Sequence, residues 1–420
     1  NRSLTKKHQM SIRNPHIKYV ENKNMKKIKL LFFLLFIQLG YCKSASFLLN
    51  GSVKGLNTGV VELSYMTFKN NKWIENKSST PINEGKFVFE GQIDEPVIAI
   101  LMLNNNELRM YIEPAIMKLT IDVKNIEYYT LLGSKTQTDY LTFSLMSKTN
   151  DELFEKCVAE IRFLNKKLSS LSKDSPEYIP TSEKIKVASQ KADSIYHLKT
   201  KMIADFIVSH PSSYYPILSN ALDVYVSKDY LSEDSARILF DKLDNKLKNY
   251  RKSIEFDRYL KARVNTKQGK PAPDFTIIDY KGESISLSGF RNKKYVLIDF
   301  WASWCVPCIK GLPYIRNFFE KYKNELDIVF VSVDTSKSNW LSAINKYDMS
   351  FGYNVLSVKD VEKYLHGYRD DNDIRNKYPY DGVPKYILID KDGKIIKSWT
   401  GYSEENEKDM NQLFKKIFGD

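Results

Sequence analysis

Residues 295–308 read YVLIDFWASWCVPC, and this stretch decides the fold of the C-terminal part of the chain. Tyr295 to Phe300 is a short apolar run flanked by charges, the pattern of a parallel strand buried on both faces. After a turn at Trp301 to Trp304, the residues Ile309, Leu312, Ile315, Phe318 and Phe319 recur at helical spacing and predict a helix from Val306 to about Lys323. Cys305 then stands at the N-terminal edge of that helix, where unpaired amides and the helix dipole favour a thiolate, and Cys308 stands one turn inside. Two thiols so spaced can close a small disulfide ring, so the expected chemistry is redox, with Cys305 the exposed nucleophile and Cys308 the shielded resolving thiol. A structural zinc site would usually need four ligands, and no second Cys-x-x-Cys pair exists here. Neither a metal nor a cofactor is therefore expected.

The wider pattern resembles the thioredoxin superfamily, in particular its TlpA/ResA-like extracytoplasmic thiol:disulfide oxidoreductases. The resemblance covers about residues 270–420 and rests on APDF at Ala272 to Phe275, LIDFWASWCVPC, VFVSVD at Val329 to Asp334, Trp340, GVP at Gly382 to Pro384 and YILIDKDGKI at Tyr386 to Ile395. It implies a redox-active disulfide between Cys305 and Cys308, and a cis-proline at Pro384 that, with Val383, offers main-chain hydrogen bonds to an extended substrate. It also implies that Asp299 is the buried acid behind the resolving cysteine. In an apolar strand its charged form is disfavoured, so its pKa should rise toward a value suited to taking the proton of Cys308; the other reading is an acid that reaches solvent at the strand end. Trp304 is expected to shield the site and offer an apolar docking face, or else to be plain core. Two positions depart from the family: Gly311 stands where many members carry a glutamate, and Lys385 follows the proline where a small residue is common. Val306 and Pro307 supply no charge to stabilise a thiolate, which favours a reductase over an oxidase. The implied partners are disulfide-bonded proteins and a membrane thiol-relay electron donor.

Met25 begins MKKIKLLFFLLFIQLGYC, with a basic start and an apolar core too short for a membrane span, the pattern of a secretory signal over 25–42. Residues 1–24 read as an upstream extension. Cleavage would fall after Cys42; the rival is a lipid anchor at Cys42, although Tyr41 stands where a lipoprotein signal prefers a small residue. The expected location is the periplasm or cell envelope of a Gram-negative bacterium. Residues 1–45 hold ten basic and one acidic residue, +9 of the formal +13, which leaves 54 basic against 50 acidic residues. With so balanced a remainder, the charge gives no case for nucleic acid binding.

Short strand signals separated by turns over 46–132 predict a β-sandwich domain, similar to the β-rich domain of unknown function that often precedes thioredoxin-like domains in Gram-negative bacteria. The strands are expected at Phe47 to Val53, Val60 to Tyr65, Lys86 to Ile93, Val97 to Leu103, Leu108 to Ile112 and Met117 to Val123. Residues 135–265 form a helical region, with helices expected over 153–171, 185–208 and 236–260. Cys157 shares a helical stripe with Phe154, Val158, Ile161 and Leu164 and is expected in the core. The polar run NTKQGKPAP at Asn265 to Pro273 marks the boundary to a thioredoxin-like domain over 270–420.

Three other functions compete. A peroxiredoxin-type antioxidant would need Pro at 298 and Thr or Ser at 302, where Ile298 and Ala302 stand. A copper chaperone of related fold would need a Cys-x-x-x-Cys spacing, with His366 its one candidate histidine. A non-catalytic envelope binding protein would use the thioredoxin domain for redox sensing.

Overall fold

The computed structural model describes residues 46–366 and 370–419. The signal expected at 25–42 and the acylation candidate Cys42 lie outside the described residues. The chain divides into two compact units, one comprising residues 46–67, 75–225 and 242–250 and the other 68–74, 226–241 and 251–419.

The N-terminal strands are β1 (Ser46–Lys54), β2 (Thr58–Lys69), β3 (Lys72–Asn83), β4 (Lys86–Gln92), β5 (Val97–Leu103), β6 (Asn106–Ile112), β7 (Ile116–Asp122) and β8 (Thr130–Leu132). They form one sheet in the order β6-β5-β2-β3-β4-β1-β7-β8. Although β3 and β4 lie between β1 and β2, the rings of Phe47 and Tyr65 meet edge to face with centroids 5.6 Å apart. The sheet therefore curls on itself, and the expected β-sandwich is realised as one continuous sheet around a single core. Strand β3 is absent from the expected strands for a physical reason. Its sequence KWIENKSSTPIN exposes most of both faces and buries only Ile82, so no alternation betrays it. It is held by the hairpin to β4, whose turn residues Glu84 and Gly85 both adopt positive φ, 49° and 73°.

Helices α1 (Lys135–Leu168) and α2 (Tyr178–Ser209) follow and lie against one another. Ser134 caps α1 by accepting the Gln137 N–H through its Oγ at 3.0 Å. Cys157 is a free, buried thiol between Phe154, Ile161, Ala192 and Ile195. Then come α3 (Tyr215–Leu218), α4 (Ala221–Ser227), α5 (Glu233–Lys242), α6 (Asn245–Lys248) and α7 (Arg251–Asn265). The single helix expected over 236–260 is thus broken into three. Asp244 takes an extended conformation, φ −57° and ψ 147°, and the break lets Leu243, Leu247 and Tyr250 all turn inward.

The C-terminal elements are β9 (Thr276–Ile278), β10 (Ser284–Ser286), β11 (Tyr295–Trp301), α8 (Val306–Tyr322), β12 (Leu326–Ser332), α9 (Lys337–Lys346), β13 (Tyr353–Leu356), α10 (Val361–Leu365), α11 (Ile374–Lys377), β14 (Lys385–Ile389), β15 (Ile395–Thr400) and α12 (Glu404–Phe418). Their main sheet runs β13-β12-β11-β14-β15, with β11 parallel to β12 and antiparallel to β14. Central β11 is buried on both faces. Leu297 and Trp301 pack in one core with α8, α9 and α12, while Val296, Ile298 and Phe300 pack in another with Phe275, Ile374 and Tyr378. This is the strand–turn–helix arrangement expected from 295–308.

Candidate active site

Strand β11 ends at Trp301, and the turn after it is tied to the neighbouring strand by one buried carboxylate. Asp334 accepts the Ser303 N–H at 2.8 Å, the Ser303 hydroxyl at 2.7 Å and the Ser332 hydroxyl at 2.7 Å. Cys305, next in line, is the N-cap of α8: its φ of −84° and ψ of 96° are extended, and its sulfur accepts the Cys308 N–H at 3.2 Å. A sulfur in this position receives an otherwise unpaired helix amide and faces the positive end of the dipole, both of which stabilise a thiolate.

The structure captures the oxidised state, with a disulfide joining Cys305 to Cys308 and Cα atoms 5.2 Å apart. The expected contrast between an exposed Cys305 and a shielded Cys308 does not hold in this state, in which the residues are 4% and 3% exposed. Both cysteines lie in the core that packs around α8, and the Val383 carbonyl oxygen is 3.6 Å from the Cys305 sulfur. Trp304 and Val306, on either side of Cys305, are instead 66% and 63% exposed, so the apolar surface around the disulfide is presented by its neighbours.

The Val383–Pro384 peptide bond is cis. The segment around it is tethered at several points. Lys385 turns its ammonium back to the Pro379 carbonyl at 2.7 Å, and burial pushes its pKa down. Asp381 accepts from Arg263 at 2.9 Å and from the Tyr259 hydroxyl at 3.1 Å, while the Pro384 carbonyl accepts the Gly401 N–H at 2.8 Å. Lys385 therefore serves the loop's own conformation. That role is invisible in the sequence, where it reads only as an unusual residue after the proline.

Asp299 lies in the middle of β11, on the same face as Leu297 and Trp301 and hence toward α8. It is 2% exposed, its Oδ1 has no hydrogen-bond partner, and burial alone pushes its pKa up to about 8. The reading of an acid that reaches solvent is excluded by that burial. Among the described residues no three His, Cys, Asp or Glu side chains group as a metal site.

A Redoxin family model matches residues 267–414, and a model described as a domain of unknown function (DUF4369) matches residues 47–140. The thiol-disulfide oxidoreductase ResA of a Bacillus cereus strain is 28% identical over 163 residues, 39% of this chain and 85% of its own. The protein of that name from Bacillus subtilis is 32% identical over 140 residues, 33% of this chain and 70% of its own. A crystal structure of the thioredoxin domain of a thiol-disulfide oxidoreductase from Bacteroides vulgatus is 30% identical, covering 35% of this chain and 98% of that one at a TM-score of 0.30.

Two outcomes are expected from this geometry. Asp334→Ala should remove three hydrogen bonds to a buried charge and destabilise the protein by about 2 kcal/mol or more in urea unfolding. Asp299 binds a proton in the folded state at pH values where the unfolded chain has released it. The oxidised protein should therefore lose stability as pH rises from about 4 to about 8, the interval between the two pKa values, and be level above it. Asp299→Asn should abolish that slope and be the more stable protein at pH 8 by about 2 kcal/mol or more, as measured by urea unfolding across pH.

Proposed function

The chain belongs to the family of ResA thiol-disulfide oxidoreductases, and we propose that it reduces disulfides of protein substrates outside the cytoplasm through Cys305 and Cys308. The observation that carries this reading is the placement of Cys305 as the cap of α8, disulfide-bonded to Cys308 and 3.6 Å from the carbonyl before a cis-proline.

In the reduced protein the Cys305 thiolate attacks one sulfur of the substrate disulfide, and the other substrate sulfur departs and takes up a proton. Val383 and Pro384 offer an extended backbone edge to the bound substrate, and exposed Trp304 offers it an apolar surface. Cys308 then gives its proton to Asp299 and attacks the Cys305 sulfur. The second substrate sulfur leaves and is protonated, two electrons have passed to the substrate, and the Cys305–Cys308 bond is closed. An external dithiol must supply two electrons to open it again, and a membrane thiol relay fits that requirement. Val306 and Pro307 place no charge beside the thiolate, which supports the reducing direction. A peroxidase site has no support, since Ile298 and Ala302 are buried and apolar where its proline and hydroxyl would stand.

The location rests on the basic, then apolar, segment at 25–42, read as a secretory signal. Among the described residues no helix is long and apolar enough to cross a membrane. N-terminal sequencing of the envelope fraction should find a chain beginning near Lys43; a cytosolic pool that retains the segment from Met25 would contradict the proposal.

Insulin reduction separates catalysis from binding: Cys305→Ser should lose all activity above the uncatalysed rate, and Cys308→Ser should accumulate a mixed disulfide at Cys305. Full activity in Cys305→Ser would sink the reading. Asp299→Asn should slow release of the mixed disulfide at pH 7 by roughly a hundredfold while leaving the first attack nearly unchanged, read by single-turnover kinetics.

A further inference from the structure

The turn that leads into the cis-proline is fastened to helix α7 through Asp381. Arg263, near the end of α7, has a side chain only 17% exposed and divides its guanidinium among three carboxylates. Nε donates to Glu233 Oε1, Nη2 to Asp229 Oδ1 and Nη1 to Asp381 Oδ2, each at 2.9 Å. Tyr259, one helical turn earlier on α7, donates its hydroxyl to the other Asp381 oxygen, Oδ1, at 3.1 Å. One helix thus takes both oxygens of Asp381. That helix is a firm base, since Phe256 and Leu260 seat it in the core, and Glu233 and Asp229 hold the planar guanidinium from the other side. Arg258, also on α7, pairs with Asp371 at 2.8 Å and so reaches the same segment farther upstream.

We propose that Arg263 and Tyr259, acting through Asp381, are positioning residues that set where the Val383–Pro384 edge stands against Cys305, and so how tightly the backbone of a protein substrate is held. This rests on the reading of the chain as a reductase of protein disulfides. Only Gly382 separates Asp381 from Val383, whose carbonyl is 3.6 Å from the Cys305 sulfur. Gly382 itself stands in open space, where an added Cβ would meet no atom within 4 Å. The Lys385 ammonium, on the Pro379 carbonyl, closes the turn on itself, while the Gly401 N–H holds the Pro384 carbonyl from the far side. Asp381 supplies the matching hold from the near side. Main-chain hydrogen bonds to an extended substrate weaken steeply outside a narrow range of distance and angle. A turn that wanders presents its edge correctly for only part of the time, and affinity falls by that fraction. Cys305 is fixed separately, by Asp334 and by its own place at the start of α8, so its attack on a disulfide without a peptide backbone does not depend on the tether. The helical region thereby takes part in substrate capture without touching substrate.

Asp381→Ala cuts both bonds to α7 and leaves Arg263 on Glu233 and Asp229. The second-order rate constant for oxidation of the reduced protein by insulin should fall about tenfold, as when about one conformer in ten presents the edge correctly. The constant for cystamine, a small disulfide with no peptide backbone, should stay within about twofold, a split that general destabilisation would not produce. Tyr259→Phe, which removes one of the two bonds, should show a smaller fall with insulin. Asp229→Ala, which breaks the exposed bond of the same guanidinium, should show none. Arg263→Gln should match Asp381→Ala, and the two combined should do no worse than either alone; Asp381→Ala judges the tether even if Arg263→Gln does not fold. In the oxidised protein the Gly401 amide, held by the Pro384 carbonyl, should exchange about tenfold faster in Asp381→Ala. That NMR measurement needs no turnover, so a parent inactive on insulin would sink the reductase reading while the exchange rate still decided on the tether. Unchanged Gly401 exchange, unchanged insulin oxidation, or an equal fall with insulin and cystamine in Asp381→Ala would overturn the assignment.

Discussion

Strand β11 bears the constraint on which the site depends: it is hydrogen-bonded on both edges and covered on both faces. A strand so enclosed has one place to deliver chemistry, its C-terminal end, where the chain turns into α8 and backbone amides stand unpaired. The turn is short and is clamped by Asp334, so Cys305 arrives as the helix cap with its sulfur already taking the Cys308 amide. The same enclosure seals Asp299 from water two residues before the strand ends. A helix amide on the Cys305 sulfur and a sealed acid on the strand face toward α8 are thus two consequences of one buried strand.

Most of this was legible because it is local. The apolar run at 295–300, the helical spacing beyond Val306, and the cysteines at i and i+3 each depend on neighbours in sequence, and β11 and α8 lie where that spacing put them. What could not be read depends on distant contacts. Gly311 reads as a missing glutamate, yet its meaning lies in Tyr386 and Tyr402, which close upon it from 75 and 91 residues away. Lys385 looks like an altered substrate groove until its ammonium is found on the Pro379 carbonyl. Asp334 is part of a recognisable run, but its partner Ser303 lies on another element, so the sequence gives no sign that it holds the turn.

The N-terminal half shows the same division by another route. Alternating strands such as β7 declare themselves, whereas β3 buries almost nothing and is placed by its hairpin. The break between α5 and α7 has a similar origin. Apolar spacing through 236–260 is good enough for one helix, but Leu243, Leu247 and Tyr250 are all buried, and an extended Asp244 reconciles them. Periodicity reports which residues want burial; it does not report where the chain must break to bury them.

The chain tolerates a buried acid whose charged form the fold disfavours, and physical reasoning says why that burden sits where it does. A carboxyl that reached solvent would keep an ordinary pKa, remain ionised at neutral pH and hold a proton too weakly to take one from a thiol. Burial raises its proton affinity to about 8, within reach of a thiol's, at the expense of stability in neutral and alkaline solution. The cost grows with every partner withheld, and Oδ1 has none. Supplying a full set of hydrogen bonds to the charged form would relieve the strain on stability but drag the pKa back down and weaken the carboxyl's hold on its proton. Apolar burial between Leu297 and Trp301, with no charged group beside it among the described residues, leaves the carboxyl poised between its two protonation states near neutral pH.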